Sequence, residues 1–147
     1  MSPSPVDIEE AKRRFQNQLE GAGAFGTWMA PDLEELRHGF CRISIRIRPE
    51  MLRSGGTVAG PILMGLADIA MYGAVISVSE NGVNSATSDM TLHFLRRPAT
   101  ERLVGEATVV REGRRLVVCD VMLFAEDDER PVCHVTGSYA LPSQRRT

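Results

Sequence analysis

The chain has 147 residues, 43% of them hydrophobic and 24% charged, with a formal net charge of −2. That is enough for one domain with a real core, and it gives no overall pull toward nucleic acid or a membrane surface. Only 5% of residues are aromatic and no RNP-like pattern occurs, which argues against stacking on single-stranded nucleic acid.

Lys12 is the only lysine, so nearly all positive charge is Arg, suited to bidentate contacts with phosphate or carboxylate. Cys41, Cys119 and Cys133 lie far apart with no C-x-x-C. An odd count and an N-terminus without an apolar core segment lead us to expect a reducing, cytoplasmic setting.

In chain order, residues 1–5 and the tail over 143–147 are expected to be loose. Asp7 to Glu20 predicts an amphipathic helix, with Ile8, Ala11, Phe15 and Leu19 at helical spacing, Asp7 as cap, and Gly21 and Gly23 as stops. Residues 21–35 are expected to be irregular, with Phe25 and Trp28 as core plugs or pocket walls. From Cys41 to Arg48 apolar and polar residues alternate strictly, which predicts a half-buried antiparallel strand with its arginines outward, stopped by Pro49.

Four strand-like runs follow the central segment: Ser85–Leu95, Leu103–Val110, Leu116–Phe124 and Val132–Ala140. The second and third form a hairpin around Arg111–Arg114. There is no βαβα alternation, so a parallel doubly wound sheet is excluded in favour of an antiparallel sheet around one helix.

The central segment, residues 54–79, holds 26 residues and one charge, Asp68. Thr57 to Val78 is long enough to span a bilayer. Asp68 at its middle and the amphipathic strands beyond point instead to a buried core helix.

Several chemistries are absent. There is no G-x-S-x-G elbow and no H-E-x-x-H. His38, His93 and His134 are scattered, so no metal is expected. Gly55 and Gly60 have P-loop spacing, but Pro61-Ile62 stands where Lys-Ser/Thr belongs.

Pro61 suits a helix start, which puts Gly60 at or just before it, where unpaired N–H groups and the positive end of the helix dipole lie. That is either an oxyanion or phosphate cradle or a plain glycine turn. Asp68, among Met64, Gly65, Met71 and Tyr72, is either a desolvated base or nucleophile or a carboxylate with structural partners. Gly60 and Asp68 are separated by about 12 Å along a helix at 1.5 Å per residue. One substrate carbonyl cannot touch both in one chain. If they cooperate, they do so across a symmetric dimer with antiparallel central helices, which makes two equal sites.

The order of elements, Gly56-Thr57-Val58-Ala59-Gly60-Pro61 and Leu66-Ala67-Asp68 resemble the hotdog-fold thioesterases of the phenylacetic-acid-degradation type. The likeness runs over about residues 35–141. Thr87-Ser88-Asp89 and Phe94-Leu95-Arg96-Arg97-Pro98-Ala99 add to it. The resemblance implies an α+β hotdog fold over residues 1–147 as a single domain, an antiparallel sheet wrapped around a long central helix.

It also implies hydrolysis of an acyl-CoA thioester, without metal or cofactor, by a homodimer or a dimer of dimers. Asp68 falls on the general base or nucleophile, Gly60 on the backbone N–H that polarises the carbonyl, and Thr87 on the hydroxyl that assists. Arg96, Arg97 and Arg115 are either candidates for the CoA phosphates or solvated turn arginines. Met64, Met71 and Tyr72, at helical spacing, either line an acyl pocket or pack in the core.

The likeness breaks where Arg53 replaces the usual Asn and where Ala59-Gly60-Pro61 replaces His-Gly-Gly. Arg53 could pair with Asp68 across the dimer or bind a charged part of the substrate. Two alternatives stay open: a non-catalytic acyl-CoA or small-ligand binding protein, and a hotdog hydratase or dehydratase, against which Ala59 speaks.

Overall fold

The computed structural model describes residues 6–21 and 23–143. The loose ends expected over 1–5 and 143–147 lie outside these residues, apart from Ser143. Asp7 caps the first helix, α1 (Ile8–Gly21). Its Oδ1 accepts the N–H groups of Glu9 at 2.9 Å and Glu10 at 3.3 Å, two donors that a first helical turn leaves unpaired.

Two elements replace the irregular stretch expected over 21–35. Gly23 takes φ +82, and a short helix follows, α2 (Ala24–Met29), closed by Ala30 in the left-handed region. Beyond Pro31 runs β1 (Asp32–Arg37). Its register slips by one residue at Glu34, so Leu33 faces Ile43 and Leu36 faces Cys41. Two leucines three apart thus share the core face, and the alternation that marks a strand never shows in the sequence.

The next strand, β2 (Phe40–Arg46), keeps strict alternation, with Cys41, Ile43 and Ile45 buried. Arg42 points outward between Glu34 at 3.2 Å and Glu106 at 2.7 Å. A loop over 52–58, closed by a Leu52–Val58 bridge, leads into the central helix, α3 (Gly60–Ile76). Gly55 and Gly56 turn this loop at φ +99 and +83, where a side chain is strained.

The remaining strands are β3 (Ala86–Phe94), β4 (Arg102–Glu112), β5 (Leu116–Ala125) and β6 (Cys133–Ala140). Every pairing is antiparallel, in the order β1-β2-β4-β5-β6-β3. The sheet curls around α3, which packs on β2, β4, β5 and β6. This is the hotdog architecture that the resemblance implied. Among the described residues no helix is long and apolar enough to cross a membrane.

Candidate active site

Twelve of the seventeen residues of α3 are buried. The other five are Gly60, Pro61, Met64, Asp68 and Tyr72. At 3.6 residues per turn they fall in one sector about 120° wide. The helix is therefore apolar all round, yet one stripe is left uncovered by its own chain, and that stripe carries both residues singled out above.

Gly60 stands at one end of the stripe. Val58 N–H donates to the Pro98 carbonyl at 3.0 Å, Ala59 N–H to Met51 at 2.9 Å, and Ile62 N–H to Ala59 at 3.0 Å. Pro61 has no N–H. Among the described residues, Gly60 is thus the one backbone donor between Val58 and Ile62 without an acceptor. It sits at the positive end of the helix dipole, the right polarity for a developing oxyanion. A Cβ on Gly60 would lie 3.9 Å from the Phe94 ring, so the end of β3 walls this side.

Asp68 stands two turns further along, half-buried. Thr87 Oγ1 donates to its Oδ1 at 2.7 Å and the Tyr139 hydroxyl to the same oxygen at 2.6 Å. Oδ2 accepts nothing among the described residues, and it is not sealed from solvent. The carboxylate is thus held by one oxygen and open at the other.

The approach of Thr87 depends on a defect in β3. Thr87 faces Tyr139 across the β3–β6 ladder, but the register slips at Ser88, so that Asp89 faces Ser138 and Met90 faces Gly137. Without the slip, Thr87 would lie on the face opposite Met90 and turn its hydroxyl away from α3.

Met64 lies midway along the stripe and is exposed. Tyr72 is half-buried, donates to the Val83 carbonyl at 2.6 Å and stacks on Tyr139 with ring centroids 5.9 Å apart. Ala59 is half-buried beside Gly60. Arg53 is exposed in the glycine loop and makes no ion pair among the described residues.

Arg96 and Arg97 follow the end of β3 near Gly60, whereas Arg115 lies beside Ala140 at the far end of β6. One chain therefore separates these arginines by about 24 Å of strand. Asp120 and His134 pair with each other at 2.6 Å on the outer face of the sheet, away from the stripe. Two shallow surface hollows of about 510 and 520 Å³ also lie elsewhere, and neither contains a stripe residue. The stripe is an open face, as a half-site would be, so the hollows do not locate the chemistry.

One contributor escapes the linear reading. Tyr139 lies 71 residues from Asp68; its only signal is a tyrosine in an apolar strand, whose buried hydroxyl must find a partner. Phe25, expected as a core plug or a pocket wall, is exposed on α2 and lies over Gly65 beside the stripe. Among the described residues no group of three or more His, Cys, Asp or Glu is placed to hold a metal ion.

A family model described as thioesterase superfamily matches residues 55–132. A Saccharolobus solfataricus protein that carries an esterase name is 26% identical over 93 residues, 63% of this chain. The chain spans 61% of the length of that curated relative. Among solved structures it is similar to a protein of Silicibacter sp. TM1040 designated a thioesterase, at 28% identity, 95% coverage of each chain and a TM-score of 0.78.

The Escherichia coli PaaI protein of the phenylacetic acid degradation operon gives 21% identity, 90% and 99% coverage of this chain and that one, and a TM-score of 0.73. A hypothetical thioesterase protein with coenzyme A from Streptococcus pneumoniae gives 23% identity, 79% and 88% coverage, and a TM-score of 0.70. These last two likenesses are of fold.

Proposed function

The chain belongs to the thioesterase superfamily, and from that premise we propose that it hydrolyses acyl-CoA thioesters to free acid and CoA in a site shared by two copies. The observation that carries this is the uncovered stripe of α3, with the Gly60 N–H, unpaired among the described residues, at its start and the open oxygen of Asp68 two turns on.

The substrate carbonyl oxygen accepts from Gly60 N–H, which stabilises the oxyanion as it forms. Asp68 Oδ2 takes a proton from water, and the water oxygen attacks the carbonyl carbon. Collapse of the tetrahedral intermediate breaks the C–S bond, and the proton on Asp68 goes to the departing CoA sulfur. Thr87 holds the carboxylate through its other oxygen.

The two groups lie about 12 Å apart in one helix, so the second copy supplies the missing half. A two-fold axis crossing α3 at Met64, midway between them, brings Gly60 of one chain opposite Asp68 of the other. Two features support this. β3 ends the strand order, and among the described residues its outer edge is unpaired, a surface that natural sheets rarely leave open. It also runs antiparallel to α3, touching Asp68 through Thr87 and Gly60 through Phe94. Pairing of such dimers into a tetramer is part of the same proposal.

That arrangement also draws together Arg96 and Arg97 of one chain, near Gly60, and Arg115 of the other, near Thr87. A protein of this fold has been solved with coenzyme A, and these arginines are the cations that its phosphates require. A panel of acyl-CoAs, read by release of free thiol, tests the activity.

One observation favours a second reading: Arg53, without an ion pair among the described residues, would face the partner's Asp68 and could neutralise it. The protein would then bind acyl-CoA without cleaving it. Tight binding with no thiol release across the panel would establish that reading in place of hydrolysis.

A further inference from the structure

The Tyr139 hydroxyl and Thr87 Oγ1 converge on one oxygen of Asp68, while the other oxygen has no partner among the described residues. We propose that Tyr139 is a positioning residue, which with Thr87 clamps Asp68 by Oδ1 so that Oδ2 alone meets the substrate water. The proposal rests on the reading of Asp68 as the catalytic carboxylate and deepens it, since it assigns the reacting atom.

Three observations carry it. First, Tyr139 is 4% exposed and its one proton is directed at Asp68, so its effect passes through Asp68. Second, the phenol is itself held. Its ring stacks on Tyr72, whose hydroxyl is tied to the Val83 carbonyl, and Tyr72 packs in turn against Phe15, with centroids 6.1 Å apart. The Tyr139 oxygen also lies 2.9 Å from the Asp68 carbonyl oxygen, so its one proton is shared between Oδ1 and the helix backbone.

Third, Tyr139 stays a donor. Burial, and next the charge of Asp68, push its phenol well above the ordinary value. Such a clamp fixes the carboxylate plane and one of its two oxygens. A base presented in a single orientation is worth far more than one free to rotate.

The test uses the 147-residue chain and four variants, of which Asp68→Asn serves to assign a resonance. Tyr139→Phe removes only the hydroxyl and keeps the stacked ring. Thr87→Val removes the second donor, and Thr87→Ser keeps it. Tyr139→Phe is expected to lower kcat by about 10- to 100-fold, the worth of one hydrogen bond to a charged group, with KM within twofold. Thr87→Val should do likewise, and Thr87→Ser should hold near wild-type rates.

In protein labelled with carboxyl-¹³C aspartate, the Asp68 resonance, assigned by its loss in Asp68→Asn, should move in Tyr139→Phe. An unchanged kcat with an unmoved resonance would overturn the clamp. So would a raised KM at constant kcat, which would place Tyr139 in substrate binding. If wild type cleaves no acyl-CoA, the hydrolase reading fails, and the resonance still decides whether Tyr139 holds the carboxylate.

Discussion

The Phe25 ring lies over Gly65 so closely that a methyl group on that glycine would meet the ring edge at 2.7 Å. α2 thus forms one wall of the uncovered stripe on α3, and β3, through Phe94 and Thr87, forms the other. The missing side chain at Gly65 is what lets the wall approach.

Two glycines of α3 should respond differently to Ala. At Gly65 the obstacle is the far end of a half-exposed ring, with Met29 next at 3.4 Å. Phe25 can swing out, and Ala gains up to about 1 kcal/mol of helix propensity. Gly65→Ala should therefore stay within about 1 kcal/mol of wild type. At Gly73 the new methyl would run into the buried Cys41 side chain, with a Phe15 ring atom 3.2 Å away. Gly73→Ala should lose about 1–3 kcal/mol. Denaturant titration checks both; equal stabilities would mean that α3 does not rest on β2 and α1 as described.

Shared sites predict rescue between inactive variants. Asp68→Asn should lower kcat by at least about 100-fold, as removal of a general base does. Gly60→Pro removes the N–H at a helix start, where proline is favoured, and Ala59 already holds the extended ψ of 143° that a following proline needs. It should cost about 100- to 1,000-fold. When the two are unfolded and refolded together in equal amounts, half of the dimers are mixed and each holds one intact site. About a quarter of wild-type activity should return. Full inactivity of the mixture would count against a site built from two chains.

Contacts to the CoA phosphates should be separable from the chemistry. Charge reversal at Arg96 or at Arg115 should raise KM for an acyl-CoA about twofold to fivefold, the range for exposed charge pairs, and leave kcat unchanged. The same variants should treat the matching acyl-pantetheine, which lacks those phosphates, as wild type does. An equal rise in KM for both substrates would remove these arginines from CoA binding.

The thiols set the alkaline limit of stability. Cys41, Cys119 and Cys133 are free and fully buried. Burial pushes Cys133 up to about 11 and Cys119 up to about 12, and raises Cys41 as well. The folded chain therefore holds these protons when the unfolded chain has released them. Their contribution is fully present below about pH 8.5, the ordinary thiol value, and is lost as pH rises through the folded values. Each thiol costs about 1.4 kcal/mol per pH unit within that window. Denaturation midpoints should fall from about pH 9 upward, and a thiol reagent should label the folded protein only at the rate of its opening. Stability constant up to pH 11 would show that the thiols are not sealed as the fold has them.

Local pattern alone determined the order of the main elements, the strict strand expected over Cys41–Arg48 and found over Phe40–Arg46, and a buried central helix entered at Gly60-Pro61 with Asp68 two turns in. These are readable because burial imposes a period of 3.6 or 2 on neighbouring residues. The Gly60–Asp68 separation follows from the helix rise alone.

Only the tertiary structure decided the rest. Single-residue slips at Glu34 and Ser88 hide β1 and turn Thr87 toward α3, because a bulge breaks the very alternation by which a strand is recognised. Tyr139 reaches Asp68 by crossing 71 positions of chain, and no local period records a partner that distant. The resemblance brought Asp68 and Thr87 together, and they lie 2.7 Å apart. The second donor, the open oxygen and the uncovered stripe exist only once β6, β3 and α3 share one space.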